Sequence, residues 1–331
     1  MKKAGKVHKP TTTRKRLFLF ILFGWLLLIL GDRVGDLELY QGSFVATYAL
    51  AITSIVLLTG YSGQLSLGQS ALMAVGAYAG ALSIFNAGWH PVVGLIMSAL
   101  VAGVFGLVLG LVAARLSGPY LAGTTLALAI SLPTLANQFP ILGAEEGISF
   151  DVGPSPARFG EDFSQYKWFF WISALAALIM VFFIVNLLTS RYGRTFKAVR
   201  DNPVAAQLSG INVGRLKVNA FAISSGVAGL SGGLLVMLIS GVSPSAFPLS
   251  LSFSLLGAAV VTGLYSLKGV ILGGLVLVAI PEIADSLVSR IGGSEGFITI
   301  LPGFLVSALL ILAVVFTPNG PGHLIKRHHK K

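Results

Sequence analysis

The sequence predicts an all-α, polytopic integral membrane protein of about ten transmembrane helices in two pseudo-repeated halves, with a short helix on its basic side. Three observations carry that expectation. Apolar residues make up 55% of the 331 and charged residues only 11%, against roughly 25% charged in a soluble domain. Mean hydropathy is +0.85. The apolar residues fall in long runs, and the cations crowd into alternate polar intervals between them. The net charge of +11 invites a nucleic-acid partner, but cations confined to tails and short inter-helix segments are what the positive-inside rule produces. No nucleic acid is therefore expected. Cysteine is absent, which excludes disulfides and thiolate metal sites.

The elements follow in order. Residues 1–16 hold Lys2, Lys3, Lys6, Lys9, Arg14, Lys15 and Arg16 and read as a basic cytoplasmic tail. Leu17–Leu30 is apolar over 14 residues, about 21 Å of helix at 1.5 Å per residue. That is short for a hydrocarbon core of ~30 Å. No small-residue cleavage site follows it, so it reads as an uncleaved first span whose basic flank snorkels to the interface. Further spans are expected at Ser43–Thr59, Leu65–Asn86, Pro91–Ala114, Pro119–Leu142 and Trp168–Leu188, with a large outer loop over 143–167. Beyond a polar interval at Thr189–Lys217 come Val218–Ser240, Ser250–Ser266, Gly269–Ser289 and Phe297–Phe316, and then a second basic cytoplasmic tail over 321–331. With the N-terminus inside, 19 of the 23 Lys and Arg fall on the inner side. Asp32, Asp36, Glu38, Glu145, Glu146, Asp151, Glu161, Asp162 and Glu295 fall outside, with Glu282 and Asp285 towards the outer end of the ninth span. Dropping the first span would put the tail and the central cations on opposite faces, against the Lys/Arg bias.

Thr59-Gly60-Tyr61 through Leu65-Ser66-Leu67-Gly68 recurs as Thr262-Gly263-Leu264-Tyr265-Ser266-Leu267-Lys268-Gly269, once in each half. Paired Gly-interrupted segments point to a pathway built from a structural repeat, although Gly and Ser are also common in packed membrane helices. The spans hold almost no ionisable residue of the kind that marks ion coupling. No catalytic constellation, metal cluster or GxxxxGK[ST] phosphate cradle occurs, so neither enzymatic activity nor a bound cofactor is expected and any ATP must be used by a partner. What remains is a pathway of small and hydroxylated side chains. The stretch Gly60–Ser70 is too polar to face lipid, and non-helical backbone at that depth must line a cavity or be buried in protein. Gly63, Ser66 and Gly68 are candidates there, and Tyr120, Thr124 and Thr125, after Gly118-Pro119, are a second set for which plain helix packing is the rival explanation.

The interval Thr189–Lys217 sets Arg191, Arg194, Lys197, Arg200, Arg215 and Lys217 against one acid, Asp201. Inside it Asp201 or Asn202 can cap a helix, Pro203 suits its first turn and Ser209-Gly210 stops it. So short a helix, with small residues on one face, needs a partner surface. A solvated basic loop explains the charges but not the caps.

These stretches resemble the LivM-type permeases of branched-chain amino-acid ABC importers. The similarity is carried by GYSGQLSLGQSALMAVGAYAGA from Gly60, RLSGPYLAGTTLALA from Arg115, GRTFKAVRDNPVAAQLSGIN from Gly193, Lys217-x-x-Ala220-Phe221, Ala228–Gly232, Pro281-Glu282 and Phe316–Gly320. The resemblance implies a permease domain over 17–320 and a cytoplasmic coupling segment over 189–217. Its coupling helix, Pro203–Ser209, would enter a groove on an ATPase subunit, with Ala205 and Ala206 small and Gly210 closing it. Arg194, Arg200, Asp201 and Asn202 would flank that contact. It further implies two ATPase subunits that carry ATP and Mg, a second related permease, an extracytoplasmic binding protein, and the plasma (inner) membrane of a prokaryote with both termini cytoplasmic. The family often shows T-G-G-x-x-G where this chain has Gly143-Ala144-Glu145-Glu146-Gly147, and a carboxylate where Ile130 stands. Leucine, isoleucine and valine are the expected substrates. Urea or short-chain amides, and an ion-coupled secondary transporter, stand as alternatives. Anionic lipid is the expected partner of the basic tails.

Overall fold

The computed structural model describes residues 13–116, 118–156, 159–160 and 163–291, with the single positions 304 and 308. Most of the first tail, the expected span Phe297–Phe316, the second tail, Glu161, Asp162 and Glu295 lie outside the described residues, as does the side chain of Asp285.

Eleven α-helices account for most of the described chain. They are α1 Thr13–Gly31, α2 Asp36–Ile55, α3 Gln69–Phe85, α4 Pro91–Ala113, α5 Pro119–Ala136, α6 Gln165–Thr189, α7 Arg191–Asp201, α8 Pro203–Leu208, α9 Val213–Ile239, α10 Leu249–Thr262 and α11 Val270–Ile291. Two residues each form β1 (Ile148–Ser149) and β2 (Gly241–Val242), an antiparallel pair with Ile148 opposite Val242. Nine expected spans fall on described residues, and each coincides with one helix. Six segments among the described residues are long and apolar enough to cross a membrane. Of the rest, α3 is an apolar helix of 17 residues, α1 carries Arg14, Lys15 and Arg16, and α11 carries Glu282 and Asp285. The protein is an all-α, multi-pass membrane protein.

Helices α2 and α9 form the centre. Small residues let α9 approach its neighbours: a methyl on Gly76 of α3 would strike the backbone of Gly229, and one on Gly232 would strike the carbonyl of Met73. Such contacts are how membrane helices gain packing energy where lipid is as apolar as leucine. Two buried hydroxyls then bridge α9 to α2. Ser224 Oγ donates to the Ser54 carbonyl at 2.9 Å, and Ser231 Oγ to the Thr47 carbonyl at 2.8 Å. Helices α4, α5 and α6 lie outside this centre and show apolar side chains such as Val104, Ile130 and Ile179 to their surroundings.

Contacts between distant segments sort the helix ends into two groups. At one end Arg16 Nη1 donates to Thr189 Oγ1 at 2.5 Å, and Arg200 reaches the end of α2. At the other, Lys167 pairs with Asp32 beneath the rings of Phe163 and Trp171, and β1 meets β2. Near that end Gln41 also donates to Glu282 at 2.7 Å.

Several boundaries differ from expectation, with α2 starting at Asp36 rather than Ser43 and α9 at Val213 rather than Val218. Residues 65–68 are not helical, so α3 starts at Gln69. Helix α5 ends at Ala136, three residues after its internal Pro133, and a 3₁₀ turn covers Pro140–Leu142. Helix α10 stops at Thr262, where Gly263 takes φ +106°. The largest departure is in the interval 189–217, which holds α7, α8 and the start of α9 rather than one helix in a basic loop. Helix α7 is capped by Ser190 Oγ, which accepts from Tyr192 N–H at 3.2 Å, and it is held down by buried Phe196 and Val199.

Candidate functional site

Helix α2 does not end cleanly. Its last turn widens into a π-helix over Val56–Tyr61, and the chain then runs without helix from Gly63 to Gly68. π-Turns accumulate at functional sites because the extra residue leaves backbone groups unpaired. Here one of them finds a partner on a distant segment, and the Gln64 side chain just beyond makes a second link. The Gly60 carbonyl accepts from Arg200 Nη1 at 2.8 Å. The Gln64 side chain donates to Ser62 Oγ at 2.7 Å and to the Lys217 carbonyl, at the start of α9, at 3.2 Å. A cation at a helix C-terminus also meets the negative end of the helix dipole. Gly63 takes φ +73°, and a side chain there would run into Arg200 Cγ at 2.6 Å.

The second Gly break lies beside the first. A methyl on Gly60 would strike the Leu264 carbonyl oxygen, so the break after α2 and the break after α10 touch through backbone. Arg200 spans both. While Nη1 holds Gly60, its guanidinium lies 5.0 Å from the ring centre of Tyr265, and its Nε and Nη2 donate to Asp201 Oδ1 at 2.9 and 2.8 Å. One turn earlier on α7, Lys197 Nζ sits 5.1 Å from the ring centre of Tyr61. Together Tyr61, Lys197, Arg200, Asp201 and Tyr265 line a polar cleft of about 320 Å³. Arg200 and Asp201 were expected to flank an external contact. The guanidinium of Arg200 reaches the Gly60 carbonyl, the Tyr265 ring and Asp201, while the Asp201 side chain stays largely exposed.

Helix α8 follows at once. Asn202 Oδ1 accepts from Ala205 N–H at 3.0 Å, Pro203 opens the first turn, and Gly210 at φ +82° lets Ile211 N–H donate back to the Ala206 carbonyl at 3.1 Å. Only Ala206 of this helix is buried. Ala205 faces out, with Val204 at 65% and Leu208 at 85% exposure. Val204 and Leu208 are four residues apart and so share a face. The sequence reading had not singled them out, although that spacing is visible in it. Arg194 lies exposed on α7.

The six pathway candidates fall in three places. Gly63 lies under Arg200. Ser66, Gly68 and Thr125 come together: Thr125 Oγ1 accepts from Leu67 N–H at 3.0 Å, Ser66 Oγ accepts from Gly68 N–H at 3.3 Å, and a methyl on Gly68 would meet the Thr125 carbonyl at 2.7 Å. Tyr120 and Thr124 are exposed on α5, and Thr124 Oγ1 bonds only the backbone of its own helix, at Tyr120 and Leu121. The buried hydroxyls cluster elsewhere. Ser252 Oγ of α10 donates to Ser70 Oγ and accepts from Ser70 N–H, each at 2.8 Å, and Gln69 Nε2 donates to Ser54 Oγ. The Oε1 atoms of Gln64 and Gln69 are buried without a partner among the described residues.

Against known proteins, residues 40–314 match the family described as branched-chain amino acid transport system, permease component. The chain is 30% identical over 297 residues to the high-affinity branched-chain amino acid transport system permease protein LivM of Escherichia coli, covering 82% of this chain and 67% of that protein. It is 24% identical over 307 residues to the probable branched-chain amino acid transport permease LivH of Methanocaldococcus jannaschii, covering 88% and 94%. It is also 27% identical over 284 residues to the fructose import permease FrcC of Rhizobium meliloti, covering 84% and 76%. No solved structure matches the chain.

Proposed function

The chain belongs to the branched-chain amino acid transport system permease family, and on that premise we propose that it is the membrane-spanning subunit of an ATP-driven importer. Its cargo would be leucine, isoleucine and valine, handed over by an extracytoplasmic binding protein. Two ATPase subunits would bind and hydrolyse ATP with Mg, and a second, related permease would complete the pathway. The cationic helix ends would face the cytoplasm of a prokaryote, as the Lys/Arg bias favours.

One observation carries the reading. Helix α8 is capped at both ends and held to its own chain by Ala206, yet it turns Val204, Ala205 and Leu208 away from the membrane helices. A two-turn helix with an exposed apolar face is marginal in water and fits a groove on a partner. Among the described residues Asp36 and Glu38 sit in the first turn of α2, and Glu282 of α11 is already hydrogen-bonded to Gln41, which disfavours ion coupling.

The test is transport by the assembled complex in proteoliposomes loaded with ATP. Labelled leucine should enter only when binding protein and ATP are both present, and unlabelled isoleucine and valine should compete. Competition by fructose or urea instead would move the cargo while keeping the importer. Uptake driven by a proton or sodium gradient without ATP would overturn the reading.

A further inference from the structure

Arg200 makes three contacts that no external partner is needed to explain. It holds the Gly60 carbonyl at the end of the broken α2, it stacks on Tyr265 in the break after α10, and it pairs with Asp201 at the joint between α7 and α8. These are the two Gly breaks of the two halves and the one segment that reaches out of the membrane bundle. Gly60 and Leu264 are in backbone contact, and Gly63 leaves the Arg200 side chain the room it occupies. The non-helical stretch after α2 is tied separately to the start of α9, by Gln64 to the Lys217 carbonyl. Helix α7 is a rigid lever for this purpose: Phe196 and Val199 anchor one face, and Lys197 rests over Tyr61.

We propose that Arg200 is the positioning residue through which a displacement of α7 and α8 is delivered to both helix breaks at once. The proposal rests on the permease reading, with α8 as the face an ATPase moves. The physical reasoning is short. Broken helices are where a transporter rearranges, because a few non-helical residues absorb the change in backbone angles. A guanidinium presents several donors in a rigid fork, so one residue can hold a carbonyl, a carboxylate and an aromatic face in fixed relation. When α7 shifts, Arg200 must either carry Gly60 and Tyr265 with it or surrender those contacts. Lysine has no such fork and can keep one contact at a time. The cluster therefore acts as a strap that makes the two halves respond together.

The experiment uses the whole importer, wild type and Arg200→Gln, in proteoliposomes. Co-purification of the ATPase subunits, ATP hydrolysis and leucine uptake are measured on the same preparation. The expected result is assembly and hydrolysis close to wild type, with leucine carried per ATP hydrolysed reduced about tenfold, within the usual range of allosteric coupling. Arg200→Lys should recover part of that ratio. An unchanged ratio in Arg200→Gln overturns the proposal. If Arg200→Gln does not assemble, Tyr265→Leu takes its place. It removes the stacking surface but neither charge, and the same two results decide the matter.

A second readout follows the break itself. The natural chain has no cysteine, so Leu65→Cys, at an exposed site in the non-helical stretch, gives a single labelling position. Its labelling rate should change when the ATPase is trapped with nucleotide, and that change should vanish with Arg200→Gln. The same change in both backgrounds would refute the strap. Wild type that brings down no ATPase would instead contradict the importer reading, so the two failures are distinguishable.

Discussion

Ala205 and Ala206 are neighbours of the same size, yet they face opposite ways. Ala206 is 4% exposed and Ala205 lies on the open face of α8. Replacing Ala205 with Glu should leave the fold intact and abolish uptake, since a bulky charge on the docking face cannot enter a packed groove. Replacing Ala206 with Glu buries a charge without a partner, which costs several kcal/mol. That variant should fail to accumulate in the membrane, as an immunoblot would show. Asn202→Ala removes the cap and should weaken α8 by about 1 kcal/mol. Faster hydrogen exchange across residues 204–209, with the rest of the chain unchanged, is the expected sign. The structure puts the cap on Asn202. A cap at Asp201 or Asn202 and a stop at Ser209-Gly210 were legible in the sequence because capping is local. The direction of Ala205 and Ala206 was not, because it depends on how α7 and α9 hold the helix ends. The inward reach of Arg200 was not legible for a related reason: the Gly60 carbonyl that its guanidinium holds is 140 residues away.

At the scale of elements, α7 is the instructive case. Phe196 and Val199 give it an apolar face, but its Arg and Lys residues dominate any composition window, so the interval reads as loop. The long spans were readable because their apolar runs exceed what an alternative could use. Their ends were less so: Pro133, Gly263 and the π-turn at Val56–Tyr61 shift them by a few residues through backbone chemistry and packing. The repeated Thr-Gly motif was visible in the sequence, whereas the contact between Gly60 and Leu264 needs the fold. The α2–α9 pairing yields a graded prediction. Ser224→Ala and Ser231→Ala should each cost roughly 0.6 kcal/mol, the average for a hydrogen bond between membrane helices. Gly229→Leu should be far worse, because α9 meets Gly76 and Ala102 there with no room for a side chain. Thermal unfolding of the detergent-solubilised protein should show two small, similar losses for the serine variants and a much larger one for Gly229→Leu. Leu208→Asp belongs with α8: it is a surface change worth within about 0.5 kcal/mol to the fold, yet it should sharply reduce recovery of the ATPase.

At the scale of the whole molecule, charge and contacts agree. Helix ends that carry Arg16, Thr189 and Arg200 meet at one pole, and Asp32, Lys167 and the β1–β2 pair meet at the other. Two central helices, α2 and the Ser- and Gly-rich α9, are surrounded by apolar ones, and the cationic pole offers one small apolar helix to the outside. The sequence holds no GxxxxGK[ST] phosphate cradle, and on the importer reading proposed above the energy source is another chain. The most direct test is therefore to purify this chain from its own membrane in mild detergent and identify what accompanies it by mass spectrometry. Two ATPase polypeptides and a second permease are the predicted companions. Recovery of the chain alone, or only with copies of itself, while it still transports leucine in liposomes, would contradict the account.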